Sequence, residues 1–107
     1  MIGIHVDGGM QDLLNVPVSL LYKSKKLSLE ELALVETLGI GAHAVVRSDL
    51  KPGESVLVIG AGPIGLAVAE FARIAGGDVH MVEKNEWRKS FATSVGIRSS
   101  SHTDGEL

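Results

Sequence analysis

The chain has 107 residues, 45% hydrophobic and 21% charged, a composition that fits a globular chain and excludes a disordered one. Its net charge of −3 leaves no positive excess to neutralise phosphates, so no nucleic-acid partner is expected. It has no cysteine, which excludes disulfides and every Cys-based zinc or redox site within these residues.

Aromatic residues are few: Tyr22, Phe71, Trp87 and Phe91. The core must therefore be built from Leu, Ile, Val and Ala. The start, Met1 to His5, lacks the basic residues and apolar block of a signal peptide. The longest uncharged apolar stretch, Val56 to Ala69, is interrupted by Gly and Pro. It falls short of the about 20 residues that a membrane helix needs. A soluble cytoplasmic protein with no membrane partner is the expectation.

Asp7-Gly8-Gly9 is a turn signal, and residues 10–17 mix apolar and polar side chains loosely. Pro17 bars a central strand position. Two short edge strands, or a strand and an extended arm, are expected before residue 28. Lys23-Ser24-Lys25-Lys26 reads as a solvated basic loop. Ser28 and Glu31 then form a capping-box pattern. The helix that follows carries Leu34, Leu38, Ala42 and Val45 on one stripe. Gly39 and Gly41 lie inside it, at about 1 kcal/mol each relative to Ala. Either a neighbour approaches closely there or the helix breaks.

After the turn at Lys51-Pro52-Gly53-Glu54, Ser55 to Ile59 is a nearly all-apolar, β-branched run. Such a run fits a parallel strand buried on both faces. Gly60 to Gly65 turns the chain. Ile64, Ala67, Val68, Phe71, Ala72 and Ala75 repeat at helical spacing, and Gly76-Gly77 stops the helix. Asp78 to Glu83 reads as a second strand. Trp87, Phe91 and Val95 mark another helix, ended by Gly96, and a third strand begins weakly at Ile97. The fold class is α/β, a partial Rossmann fold built on a parallel βαβ unit.

Gly60-Ala61-Gly62-Pro63-Ile64-Gly65 is a G-x-G-x-x-G turn between a strand and a helix. Gly60 allows the sharp turn, Gly62 lets a pyrophosphate approach the backbone, and Gly65 lets the helix pack against the strand. Pro63 fits the first helical turn, and Ile64 follows it at the helix N-terminus, which attracts phosphate. Glu83 closes the second strand, where a carboxylate accepts hydrogen bonds from an adenosine ribose. That carboxylate favours NAD over NADP, because it repels a 2′-phosphate. Lys84 and Arg88 temper the preference, since either is able to pair with that phosphate. A purely structural turn and an S-adenosylmethionine site are the competing readings of this motif.

Taken together, these residues resemble the zinc-containing medium-chain dehydrogenases, which act on alcohols, polyols and sugar acids. Gly8-Gly9-Met10-Gln11-Asp12 with Val16-Pro17 is similar to one family segment. Ser28 to Ala44 is similar to another, and Lys51 to Gly65 follows the family's cofactor loop almost letter for letter. Arg88 matches an arginine that lies by the adenine in many members. Thr37 stands where the family usually has Pro, Asp12 where it has Glu, and Leu13 where it has an aromatic. Pro63-Ile64 argues against the zinc-free quinone reductases.

The resemblance implies that residues 1–27 are the end of a GroES-like catalytic β domain. Residues 28–107 are then a linking helix and the first half of an NAD-binding Rossmann domain. The family's zinc ligands lie upstream of the matched stretch, so zinc belongs to a full-length parent and no metal ligand is assigned in this chain. Glu36 is the catalytic candidate: in the polyol branch the matching residue lies near the zinc and its water, where it bridges to metal or relays a proton. Its alternative is a helix carboxylate satisfied by a neighbour. His43 is placed at the domain junction in a packing role. His5, His80 and His102 are scattered without metal-ligand spacing. The parent would pass hydride from a secondary alcohol, a small alcohol or polyol, to NAD, and the isolated chain is expected to be inactive. A non-catalytic nucleotide-binding module is the other reading. An unpaired edge on the first strand also leads to an expectation of self-association.

Overall fold

The computed structural model of the protein describes residues 2–101. Ser28 opens the helical layer. Its hydroxyl accepts from the Glu31 N–H at 3.2 Å, and Glu31 Oε2 accepts from the Ser28 N–H at 2.7 Å, so both halves of the capping box form. Helix α1 (Leu29–Ala33) follows, and Leu34 joins it to α2 (Val35–Ser48). Helix α2 runs through Gly39 and Gly41 without a break. Gly41 is buried where α2 crosses α3 (Pro63–Ile74). Close approach is therefore the answer at Gly41, whereas Gly39 faces open space.

Strands β1 (Ser55–Ile59), β2 (Asp78–Val82) and β3 (Arg98–Ser100) form one parallel sheet in that order. Helix α3 connects β1 to β2, and α4 (Glu86–Ser94) connects β2 to β3. Ile59 lies opposite Val82, and Val82 opposite Ser100. The C-terminal ends of the strands are thus level, and the segments that leave them meet along one edge. The α/β parallel class read from the sequence is the fold observed.

The core lies between one sheet face and the helices. Val58, Val79 and Met81 pack with Ala69 and Ala72 of α3, Ala92 of α4, and Ile97. Small alanines let the helices sit close to the sheet. The opposite face differs from expectation. Ser55 to Ile59 is not buried on both sides: Leu57 is 37% exposed and Ile59 79%. The described residues supply helices for one face only, and β2 is the only neighbour of β1 among them.

The expected edge strands before residue 28 do not form. Residues 2–27 hold an isolated bridge between Ile2 and Val6 and a single 3₁₀ turn at Val18–Leu20. Met10, Leu13 and Tyr22 are exposed. A strand needs a partner edge, and none among the described residues reaches this segment, which otherwise holds turns and bends. No helix among the described residues is long and apolar enough to cross a membrane.

Candidate cofactor site

Gly60 leaves β1 with φ +99°, a conformation that L side chains rarely adopt. Its N–H donates to the Val82 carbonyl at 2.7 Å, which ties the turn to the end of β2. Gly62 is the residue before α3, and Pro63 is the first residue of that helix. Nothing stands within 4 Å of the position a β-carbon would take on Gly62. Gly65 is the opposite case, because a β-carbon there would stand 2.0 Å from the Gly60 carbonyl oxygen. Helix α3 therefore begins directly against the turn. The N–H groups of Ile64 and Gly65 have no carbonyl ahead of them in the helix, and the positive end of the helix dipole lies there.

Glu83 follows β2 and faces this turn. Its Oε2 accepts from the Ala61 N–H at 2.8 Å and its Oε1 from the Asn85 N–H at 2.8 Å. These backbone donors, Asn85 foremost and then Ala61, hold the carboxyl below the usual glutamate range. The Arg88 guanidinium adds to the effect, and partial burial opposes it. Glu83 is thus a carboxylate at neutral pH. Asn85 in turn caps α4, with Oδ1 accepting from the Arg88 N–H at 3.0 Å.

The first turn of α4 completes one wall of a cleft. Ala61, Gly62, Pro63 and Leu66 face Trp87, Arg88 and Phe91 across about 300 Å³. The Trp87 and Phe91 rings stack with centroids 6.1 Å apart and planes 16° from parallel. Trp87 remains 75% exposed. This pair reads in the sequence only as a helical stripe. An aromatic pair spaced four apart around Arg88, one turn past an acidic strand end, is the signal that marks it.

The candidates separate into two groups. Gly60, Gly62, Pro63, Gly65, Glu83 and Arg88 converge at one edge of the sheet, through the contacts given above. Ile64 is half-exposed beside them, and Lys84 is exposed directly after Glu83. Glu36 is elsewhere, exposed in the first turn of α2, and it does not line the cleft. His43 is exposed on the same helix. His80 hydrogen-bonds Ser100 Oγ at 2.9 Å across the sheet. His102 lies outside the described residues. Among the described residues no group of three or more His, Asp or Glu is placed to hold a metal ion.

A parallel βαβαβ sheet whose glycine turn opens a helix, with a carboxylate at the next strand end, is a fold of Rossmann type. A family model described as an FAD binding domain matches residues 54–101. The chain is 42% identical over 89 residues to L-galactonate-5-dehydrogenase of Escherichia coli, covering 83% of this chain and 26% of that protein. It is 43% identical over 98 residues to a zinc-type alcohol dehydrogenase-like protein of Haemophilus influenzae, covering 91% and 29%. In structure it matches galactitol-1-phosphate dehydrogenase of E. coli with a TM-score of 0.78 at 26% identity, over 92% of this chain and 29% of that one. The chain belongs to the zinc-type alcohol, polyol and sugar-acid dehydrogenase family. It spans under a third of the length of these relatives.

Proposed function

We propose that these residues form the adenosine-diphosphate half of a nicotinamide dinucleotide site, belonging to a zinc-type polyol or sugar-acid dehydrogenase. In this reading the open face of Gly62 and the N–H groups of Ile64 and Gly65 receive the pyrophosphate. Gly60 and Pro63 shape the turn. Glu83 accepts the ribose hydroxyls, with Lys84 and Arg88 flanking it. Because Glu83 is ionised, NAD is favoured over NADP. The observation that carries the reading is the pairing of an unobstructed glycine turn with a carboxylate 2.8 Å from its backbone.

Bound nicotinamide supplies the hydride acceptor. The substrate class, a small alcohol, polyol or sugar acid, follows the names of the relatives. Residues 1–27 are assigned to the end of the catalytic domain and residues 28–107 to the linking helix and cofactor half-domain. Glu36 is assigned a place near the zinc and its water in the whole enzyme, where it would bridge to metal or relay a proton. The chain has no cysteine, and among its described residues zinc finds no acidic or histidine cluster to hold it. The β1 edge, unpaired among the described residues, supports self-association.

The FAD binding domain match favours a second occupant, since FAD carries the same adenosine diphosphate. Calorimetric titration with NAD, NADP, FAD and S-adenosylmethionine separates the readings. NAD at about millimolar affinity, near −4 kcal/mol, is the expected result. Binding of S-adenosylmethionine or FAD in preference to NAD overturns it.

A further inference from the structure

We propose that Glu83 is a positioning residue for the glycine turn, its carboxylate bridging the Ala61 and Asn85 N–H groups and so holding the turn in the shape that receives a diphosphate. This role is separate from any contact with a ribose, and it rests on the dinucleotide reading only for the identity of the ligand. The turn has few anchors of its own. Gly60 and Gly62 carry no side chain, and the Gly60 N–H bond to Val82 fixes only the first residue. Ala61 is 3% exposed, so without Glu83 its N–H would lack a partner in a place that water barely reaches. The second bond, from Asn85, fixes the carboxylate to the loop that starts α4. The bridge therefore couples the segments leaving β1 and β2, residues 22 apart in sequence.

The bridge also sorts the donors. The Ala61 N–H is turned to Glu83, which leaves the α3 N-terminus, at Ile64 and Gly65, as the diphosphate cradle. It does not exhaust the carboxylate, since each oxygen accepts more than one hydrogen bond. Holding the turn and receiving a ribose are thus compatible.

Inorganic pyrophosphate tests this role because it has no ribose. If Glu83 served only the ribose, Glu83→Gln and Glu83→Ala would bind pyrophosphate as well as the parent chain, or more tightly, because a like charge is gone. A positioning role predicts the opposite sign, a loss of about tenfold in pyrophosphate affinity for Glu83→Ala. Glu83→Gln keeps one acceptor and should lose less. Amide hydrogen exchange at Ala61, measured without ligand, should quicken about tenfold in Glu83→Ala. Unchanged exchange overturns the proposal, as does unchanged or tighter pyrophosphate binding. If the parent chain binds neither NAD nor pyrophosphate, the dinucleotide reading fails, and Ala61 exchange still decides whether Glu83 holds the turn.

Discussion

Gly41 of α2 approaches Ala67 of α3 so closely that a β-carbon on Gly41 would stand 2.6 Å from the Ala67 β-carbon and 2.7 Å from its backbone carbonyl carbon. Neither neighbour is the end of a flexible side chain, so the helices would have to part. Gly41→Ala is predicted to destabilise the fold by about 2 kcal/mol, the cost of overpacking a tight contact. Gly39→Ala, two positions earlier and in open space, should instead stabilise it by up to about 1 kcal/mol through helix propensity. Urea unfolding of the two variants checks both signs.

The glycine turn makes a similar contrast, with two readouts. Gly65→Ala drives a methyl group into the Gly60 carbonyl, and no rotamer relieves it. A loss of about 3 kcal/mol in stability is predicted, together with loss of nucleotide binding. Gly62→Ala has room, so its stability should stay within about 0.5 kcal/mol of the parent. Its affinity for ADP-ribose should nevertheless fall about tenfold, because the methyl group occupies the approach to the backbone. Thermal melts and calorimetry on the same samples separate the two effects.

Acid should reveal the two perturbed carboxylates. Glu83 is held below its usual range by the Asn85 and Ala61 N–H groups, and Glu86 by hydrogen bonds from Lys89 and Ser101. A folded-state pKa below the unfolded value means stability that is fully present above the ordinary glutamate pKa of about 4.3. That contribution is lost as pH falls through the folded-state value. The stability difference between the parent and Glu83→Gln should therefore be constant near neutrality and shrink below about pH 4.3. A difference that grows on acidification contradicts the assignment.

Strand β1 leaves Leu57 and Ile59 on an open face and one edge unpaired among the described residues. Sedimentation at rising concentration is predicted to show association. Ile59→Lys, which places a charge on that strand, should reduce it. A clean monomer at high concentration contradicts the prediction.

Features governed by local chemistry were legible in the sequence. Ser28 and Glu31 announce a helix start because their side chains bond only to nearby backbone. Gly60, Gly62 and Gly65 announce a turn because each meets a local demand: a positive φ at Gly60, an open backbone face at Gly62 and a close approach at Gly65. The strand and helix order after residue 54 follows from the same local rules. Features governed by distant surfaces were not legible. Leu57 and Ile59 look like core residues, yet their exposure depends on what covers the second sheet face. Residues 10–17 look capable of edge pairing, yet no partner edge reaches them. The bond from Ala61 to Glu83 depends on register between two strands, which no short motif encodes. Trp87 and Phe91 fit a helix stripe, and only the packing of α4 beside α3 turns them toward the glycine turn.

The most direct test of the cofactor reading is an amide chemical-shift titration of the isotope-labelled chain with ADP-ribose. Saturating shifts are predicted at Ala61, Gly62, Ile64, Gly65 and across Glu83 to Arg88, with a roughly millimolar dissociation constant. Residues of the α2 C-terminal half, His43 among them, should stay still. Absence of shifts at the glycine turn, or shifts there with S-adenosylmethionine and none with ADP-ribose, would contradict the account.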